Sequence, residues 1–333
     1  MKKITILLMA LVFSISLFAE GDYLSVKGEK QNIIEIYKLT DSVETAEKVL
    51  QHSLHKGQRF HLFGELYTVS GKNLFGYYTE VYEVESGKKL FKVKHDLKND
   101  KSSQGEQKPK EIEAGAGKSF SLPVPFSLPI YSPQLVVKEE NRYFLFIHNE
   151  IFVVESGKVK EQTTVEKWDK LFLASPTEVI LANADSLRLF NISTNKVEKT
   201  VEGMFNLAGS SIYDAQLFVV AVKESKLYLE RYELSLELKD ESIIGDMQYL
   251  GVADAKLFYW SRVDKELVVN NLLGEEQFRT GELPTLLSCK VAEYEGEVYL
   301  RWNRKLYKLD DNNQPVKSDI IRGSIEYKAI FGR

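Results

Sequence analysis

Three observations predict a mainly β chain: a C-terminal five- or six-bladed β-propeller preceded by a small α+β module. First, short turns recur through the second half of the chain, at "VVESGKV" (Gly157), "NISTNKV" (Asn195), "ELSLELK" (Ser235), "NNLLGEE" (Gly274) and "DDNNQPV" (Asn313), about 38 to 40 residues apart. Second, each turn follows a pair of short apolar runs, such as "AQLFVVAV" with "KLYLERYEL", and precedes a more polar run such as "EKTVEG". Third, the runs "FLFI", "LFVVAV" and "KLFYW" are apolar almost throughout. A period near 40 residues with four strands per unit marks a propeller blade. Near-continuous apolar runs fit strands covered on both faces, and radially arranged sheets cover one another in that way.

The repeats occupy residues 133–333, where five units are legible. The tail "SIEYKAIFGR" is expected as a further innermost strand that pairs with the sheet nearest Pro133 and removes the free edge. Residues 20–96 read differently. "NIIEIYKL" is a strand, and the following "TDSVETAEKVLQHSLHKG" places Val43, Ala46, Val49, Leu50 and Leu54 on one helical face. Asp41 and Glu44 supply a capping-box-like start to that helix and Gly57 a stop. "RFHLFGELYTVSG" and "LFGYYTEVYEVESGKKLFKVKHDL" then form an antiparallel meander. The ESGK turn of "VYEVESGKKL" returns in "IFVVESGKVK", and such turns demand the positive φ that glycine supplies. Two readings follow from that echo: shared hairpin chemistry in a separate module, or residues 58–95 as an additional blade.

Between the two regions, residues 97–132 begin as a polar linker and end in "FSLPVPFSLPIYSP". There Phe120, Leu122, Val124, Phe126, Leu128 and Ile130 alternate with Ser or Pro. Proline cannot donate to a ladder, so this is an extended strip that lies across the propeller or offers its apolar side to a partner. At the N-terminus, Lys2 and Lys3 precede an uncharged run to Phe18, and Ala19 is small. Residues 1–19 therefore read as a signal peptide, too short for the roughly 20 apolar residues of a bilayer span. A periplasmic or secreted location is expected, with no stable membrane span after cleavage.

Loss of Lys2 and Lys3 takes the formal charge from −4 to about −6. A mildly acidic chain is a poor nucleic-acid binder, which would carry a basic surface. The single cysteine, Cys289, allows no internal disulfide and reads as a buried thiol. "EAGAGKS" ends like a phosphate-binding loop, but Ile112 stands where the first glycine is required. His52, His55 and His61 are the metal candidates, two of them on one helical face; the structural alternative is histidine favouring a helix C-terminus. Trp260, Arg262, Arg301, Trp302 and Arg304, in adjacent repeats, are of the residue types that dominate interfaces, and are taken with the apolar strip as candidate binding residues. No nucleophile elbow, zinc-protease helix or cofactor motif is present.

The residues "ETAEKVLQHSLHKG", "FGELYTVSGK" and "YYTEVYEVESGKKLF", ahead of a propeller and behind a leader, give a layout that resembles the periplasmic TolB family. That resemblance implies a periplasmic protein-binding scaffold without catalysis, and it carries no specific binding residue across. The sequence thus points to an exported, non-catalytic propeller scaffold that binds a protein or cell-envelope component. The alternative is a propeller hydrolase or lyase acting on envelope polysaccharide or peptide, with its reacting groups on loops of different blades.

Overall fold

Alternate residues of the strand Gln216–Lys223 are buried on opposite sides: Leu217, Val219 and Ala221 in one apolar cluster, Phe218 and Val220 in the next. A strand sends successive side chains to opposite faces, so a run this apolar demands cover on both. The same demand recurs along the chain. The computed structural model describes residues 23–28, 32–39, 45–73, 76–95, 133–280, 288–303, 305–310, 314–320 and 324–331. The expected leader (1–19), the whole 97–132 segment including Phe120, Leu122, Val124 and Phe126, and Arg304 lie outside those residues.

Seven antiparallel sheets follow one another in chain order. Sheet 1 has three strands, Tyr23–Lys27, Ile33–Lys38 and Glu47–Ser53. Sheets 2 to 7 have four strands each and begin with Arg59–Phe63, Leu135–Glu139, Lys170–Ser175, Phe205–Tyr213, Met247–Ala253 and Cys289–Tyr294. The fourth strands are outermost; every residue of Leu238–Ile243, for example, is exposed. The first strands are innermost, and those of sheets 5, 6 and 7 touch one another.

Six apolar clusters join the sheets pairwise. Tyr23, Ile36, Tyr67 and Val69 join sheets 1 and 2; Val81, Val93, Leu145 and Phe152 join sheets 2 and 3. Phe146, Val153, Trp168 and Leu181 join sheets 3 and 4; Leu187 and Leu217 lie between sheets 4 and 5. Phe218 and Tyr259 lie between sheets 5 and 6, and Trp260 and Trp302 between sheets 6 and 7. The circle closes through a short helix, α1 (Ile325–Phe331). Its Tyr327, Ile330 and Phe331 pack on Tyr299 and Leu306 of sheet 7, and its Ala329 on Leu24 of sheet 1.

The helix stands where a strand is missing. In sheets 2 to 6 the register shifts between the third and fourth strands, at Val81/Tyr82, Val153/Val154, Leu189/Phe190, Arg231/Tyr232 and Val269/Asn270. Sheet 1 carries that shift at Ile36/Tyr37, between its second and third strands. Its three strands therefore correspond to strands two to four of the other sheets, and α1 packs beside the strand left without an inner neighbour.

Three expectations are corrected here. The ring has seven sheets where five or six blades were expected, because residues 23–95 build two of them. No separate α+β module is formed: Arg59–His95 is a four-stranded sheet of the common kind, and the expected helix is the strand Glu47–Ser53. Pairing with Ile33–Lys38 and packing of Val49 and Leu50 against sheet 2 override the local helical spacing. Conversely, "IEYKAIF" is a helix and not a closing strand. The side chain of Ser324 accepts the Tyr327 N–H at 3.1 Å as an N-cap, and burying residues 327, 330 and 331 on one face uses the helical period.

Candidate functional site

The innermost strands place one set of equivalent residues around the ring axis. Arg59 pairs with Ser70, Leu135 with Phe146, Lys170 with Ala182, Asn206 with Val220, Gln248 with Trp260 and Lys290 with Arg301. Each partner lies four residues past the start of its own strand, so the six positions share one level. They also share a face, because Ala182, Val220 and Trp260 each belong to the cluster shared with the following sheet. The level lies near the start of the innermost strands, the end at which each sheet is entered from its predecessor. Five of the six residues carry hydrogen-bond donors, three of them cationic, in a chain whose formal charge is −4.

Two lysines dominate this inner rim. Lys170 Nζ donates to the main-chain oxygen of Ser210 at 3.3 Å and to its Oγ at 3.0 Å. Ser210 belongs to an irregular stretch of Phe205–Tyr213, where the register shifts between Asn206 and Ser211. Gly209 there has φ +77°, and a Cβ on it would lie 2.8 Å from the Tyr249 carbonyl oxygen, so both conformation and contact require glycine. Ser210 Oγ donates to Leu207 O at 2.6 Å, and Asn206 Oδ1 accepts the Ala208 N–H at 3.0 Å, fixing the shape. Bulges commonly re-aim side chains beside functional sites.

Lys290 Nζ donates to the carbonyl of Phe331, the last residue of α1, at 2.8 Å. Arg301, on the same face, holds its guanidinium 5.9 Å from the centre of the Phe331 ring, with Nη1 3.5 Å from the Tyr327 hydroxyl. Burial pushes both lysines below the ordinary ammonium range, and for Lys290 the charges of Arg301, Lys170 and Lys328 push the same way. Sheets 4 and 7 stand nearly opposite in a ring of seven, so Lys170 and Lys290 repel one another across the axis. On sheet 2, burial and then the charge of Arg59 hold His61 below the usual imidazole range.

The residues singled out in the sequence are dispersed. Trp260 and Trp302 pack edge to face at 6.2 Å within the cluster between sheets 6 and 7; Trp302 is 1% exposed. They are core, which corrects their assignment to a binding surface. Arg262 is exposed in a turn, and Arg301 belongs to the rim beside α1. His52 lies on a strand, with Nδ1 3.2 Å from the Tyr67 hydroxyl; His55 lies past the end of that strand and His61 in the next sheet. The shared helical face expected for His52 and His55 is therefore not formed. No group of three or more His, Cys, Asp or Glu suited to a metal occurs among the described residues. The rim itself was missed. Its sequence signal is a polar residue near the head of all but one of the six first strands, as in "DKLFLAS", "FNLAGSS", "MQYLGVA" and "CKVAEY", visible only once the repeats are aligned on their first strands.

Sheets packed face to face in a closed cycle, each covering its neighbours, define this chain as a β-propeller. It is similar to Hsv2 of Kluyveromyces lactis, with a TM-score of 0.50 at 11% identity over 90% of this chain and 95% of that one. It is likewise similar to the dihydro-heme d1 dehydrogenase NirN, with a TM-score of 0.52 at 10% identity over 90% of this chain and 64% of that one. At such identities the likeness establishes the fold alone. No family model and no curated protein matches the sequence.

Proposed function

We propose that the protein is an exported, non-catalytic propeller scaffold that binds a protein or cell-envelope component at the inner rim. One observation carries this reading: the rim places Arg59, Lys170, Asn206, Gln248 and Lys290 at one level. Hydrolysis or elimination would call for an acid–base pair or an activated nucleophile at the centre. Lysine, arginine and amide groups, with no carboxylate among the described groups that act on Lys170 or Lys290, are suited instead to holding a partner. The leader at residues 1–19 supports export, and a propeller behind a leader is what the layout still shares with the TolB family. The helix-to-hairpin part of that resemblance is lost with the strand Glu47–Ser53.

The test is crosslinking in intact cells with a C-terminally tagged chain, followed by identification of what is captured. A single partner retained by the wild type and lost from an Arg59→Glu, Gln248→Glu variant is the expected result. Equal capture by both would remove the rim from the reading. Export is checked by the mass of the mature protein, expected to begin at Glu20.

A further inference from the structure

We propose that the inner rim binds a phosphate group between Lys170 and Lys290, the group being either free or part of a lipid headgroup. The proposal deepens the binding role of the same rim.

Each ammonium has three donors. Lys170 spends two on Ser210 and Lys290 one on Phe331 O, which leaves one and two donors among the described contacts. Asn206 has its Oδ1 committed to the Ala208 N–H, so the end it presents is its NH₂. No carboxylate is among the groups that act on either lysine; the charges acting on Lys290 are those of Arg301, Lys170 and Lys328. Half-buried cations that face one another without an anion are costly. A dianion with several acceptor oxygens relieves the repulsion, takes up the remaining donors, and makes charge-assisted bonds in a partly desolvated place where they are strong. A carboxylate, with one charge and two oxygens, would satisfy less of the set.

The competing account is structural: Lys170 pins the irregular stretch, and Lys290 caps α1. The two accounts predict opposite changes in stability. A purely structural lysine lowers stability when replaced. A lysine held against repulsion for a ligand leaves the ligand-free protein as stable or more stable when replaced, and removes stabilisation by the ligand.

The experiment is calorimetric titration of the full chain with inorganic phosphate and pyrophosphate, at ionic strength held constant with chloride. Urea unfolding is followed in parallel, with and without phosphate. Saturable binding is expected, weakened about tenfold or more in Lys170→Gln and in Lys290→Gln, the size of a hydrogen bond to a charged group. Binding should be unchanged in the exposed Lys239→Gln. Should Lys290→Gln unfold through loss of its helix contact, Lys170→Gln, which does not touch α1, decides the matter. Flotation with phosphatidic acid vesicles separates the sources: phosphate-competed flotation assigns a headgroup, and phosphate binding without flotation a soluble ligand. No saturable binding, or wild-type affinity in both lysine variants, overturns the proposal. The titration needs no cellular partner, so it fails or succeeds independently of the crosslinking result.

Discussion

Trp302 lies against Trp260 with almost none of its surface exposed, and its role is volume. Trp302→Ala should cost about 3–5 kcal/mol, read as a lower urea midpoint at constant slope. Cys289 retains some accessible surface, yet burial pushes its thiol up to about 12. Native protein should therefore resist alkylation at pH 8 and label as it unfolds, which reports opening of sheet 7. His52 and His61 set an acid limit. Burial, the largest effect on each, lowers both below the 6.5 of a free imidazole. As pH falls through 6.5 the unfolded chain takes up protons first, so stability drops until pH passes below the folded values. The urea midpoint should fall between pH 7.5 and 5.5, and His61→Gln should fall less; an unchanged slope in that variant would remove His61 from the effect.

At the scale of elements, strand against helix was the least legible distinction. "AEKVLQHS" spaces its apolar residues like a helix and forms a strand, because the neighbouring strand and sheet 2 supply more pairing and burial than an isolated helix could. "IEYKAIF" shows the converse, since the flanks of sheets 7 and 1 accept a helical face there. Residues 133–317 were legible because two-sided burial leaves a strong mark: alternate residues are both apolar and the turns keep a fixed period. The rim was not, because a polar residue at the head of a strand has meaning only once the first strands are known to converge. Two elements invite direct tests. Ile330→Ala should cost about 2–5 kcal/mol by opening the seam that α1 fills. Gly209→Ala should cost about 1–3 kcal/mol through its positive φ and the nearby Tyr249 carbonyl. Circular dichroism melts read both, and a neutral Gly209→Ala would mean that the strand relaxes without penalty.

For the molecule as a whole, the clusters form an unbroken cycle, so no sheet can separate without uncovering two neighbours. A closed cycle should unfold in one transition, whereas an open row of repeats unfolds in stages. The three tryptophans serve as reporters: Trp168 stands between sheets 3 and 4, and Trp260 and Trp302 between sheets 6 and 7. Emission from single-tryptophan variants should trace superimposable urea curves in the intact chain. Removal of residues 325–333 should split them, with sheet 7 melting first. Superimposable curves in the truncated chain would show that α1 does not couple the ends.

Placement of the closing piece after all seven sheets bears on how the protein is made. Until α1 has left the ribosome, the first and seventh sheets each have a greasy flank with nothing to lie against. A nascent chain in that state is sticky and slow to commit, and only the arrival of α1 lets the ring lock.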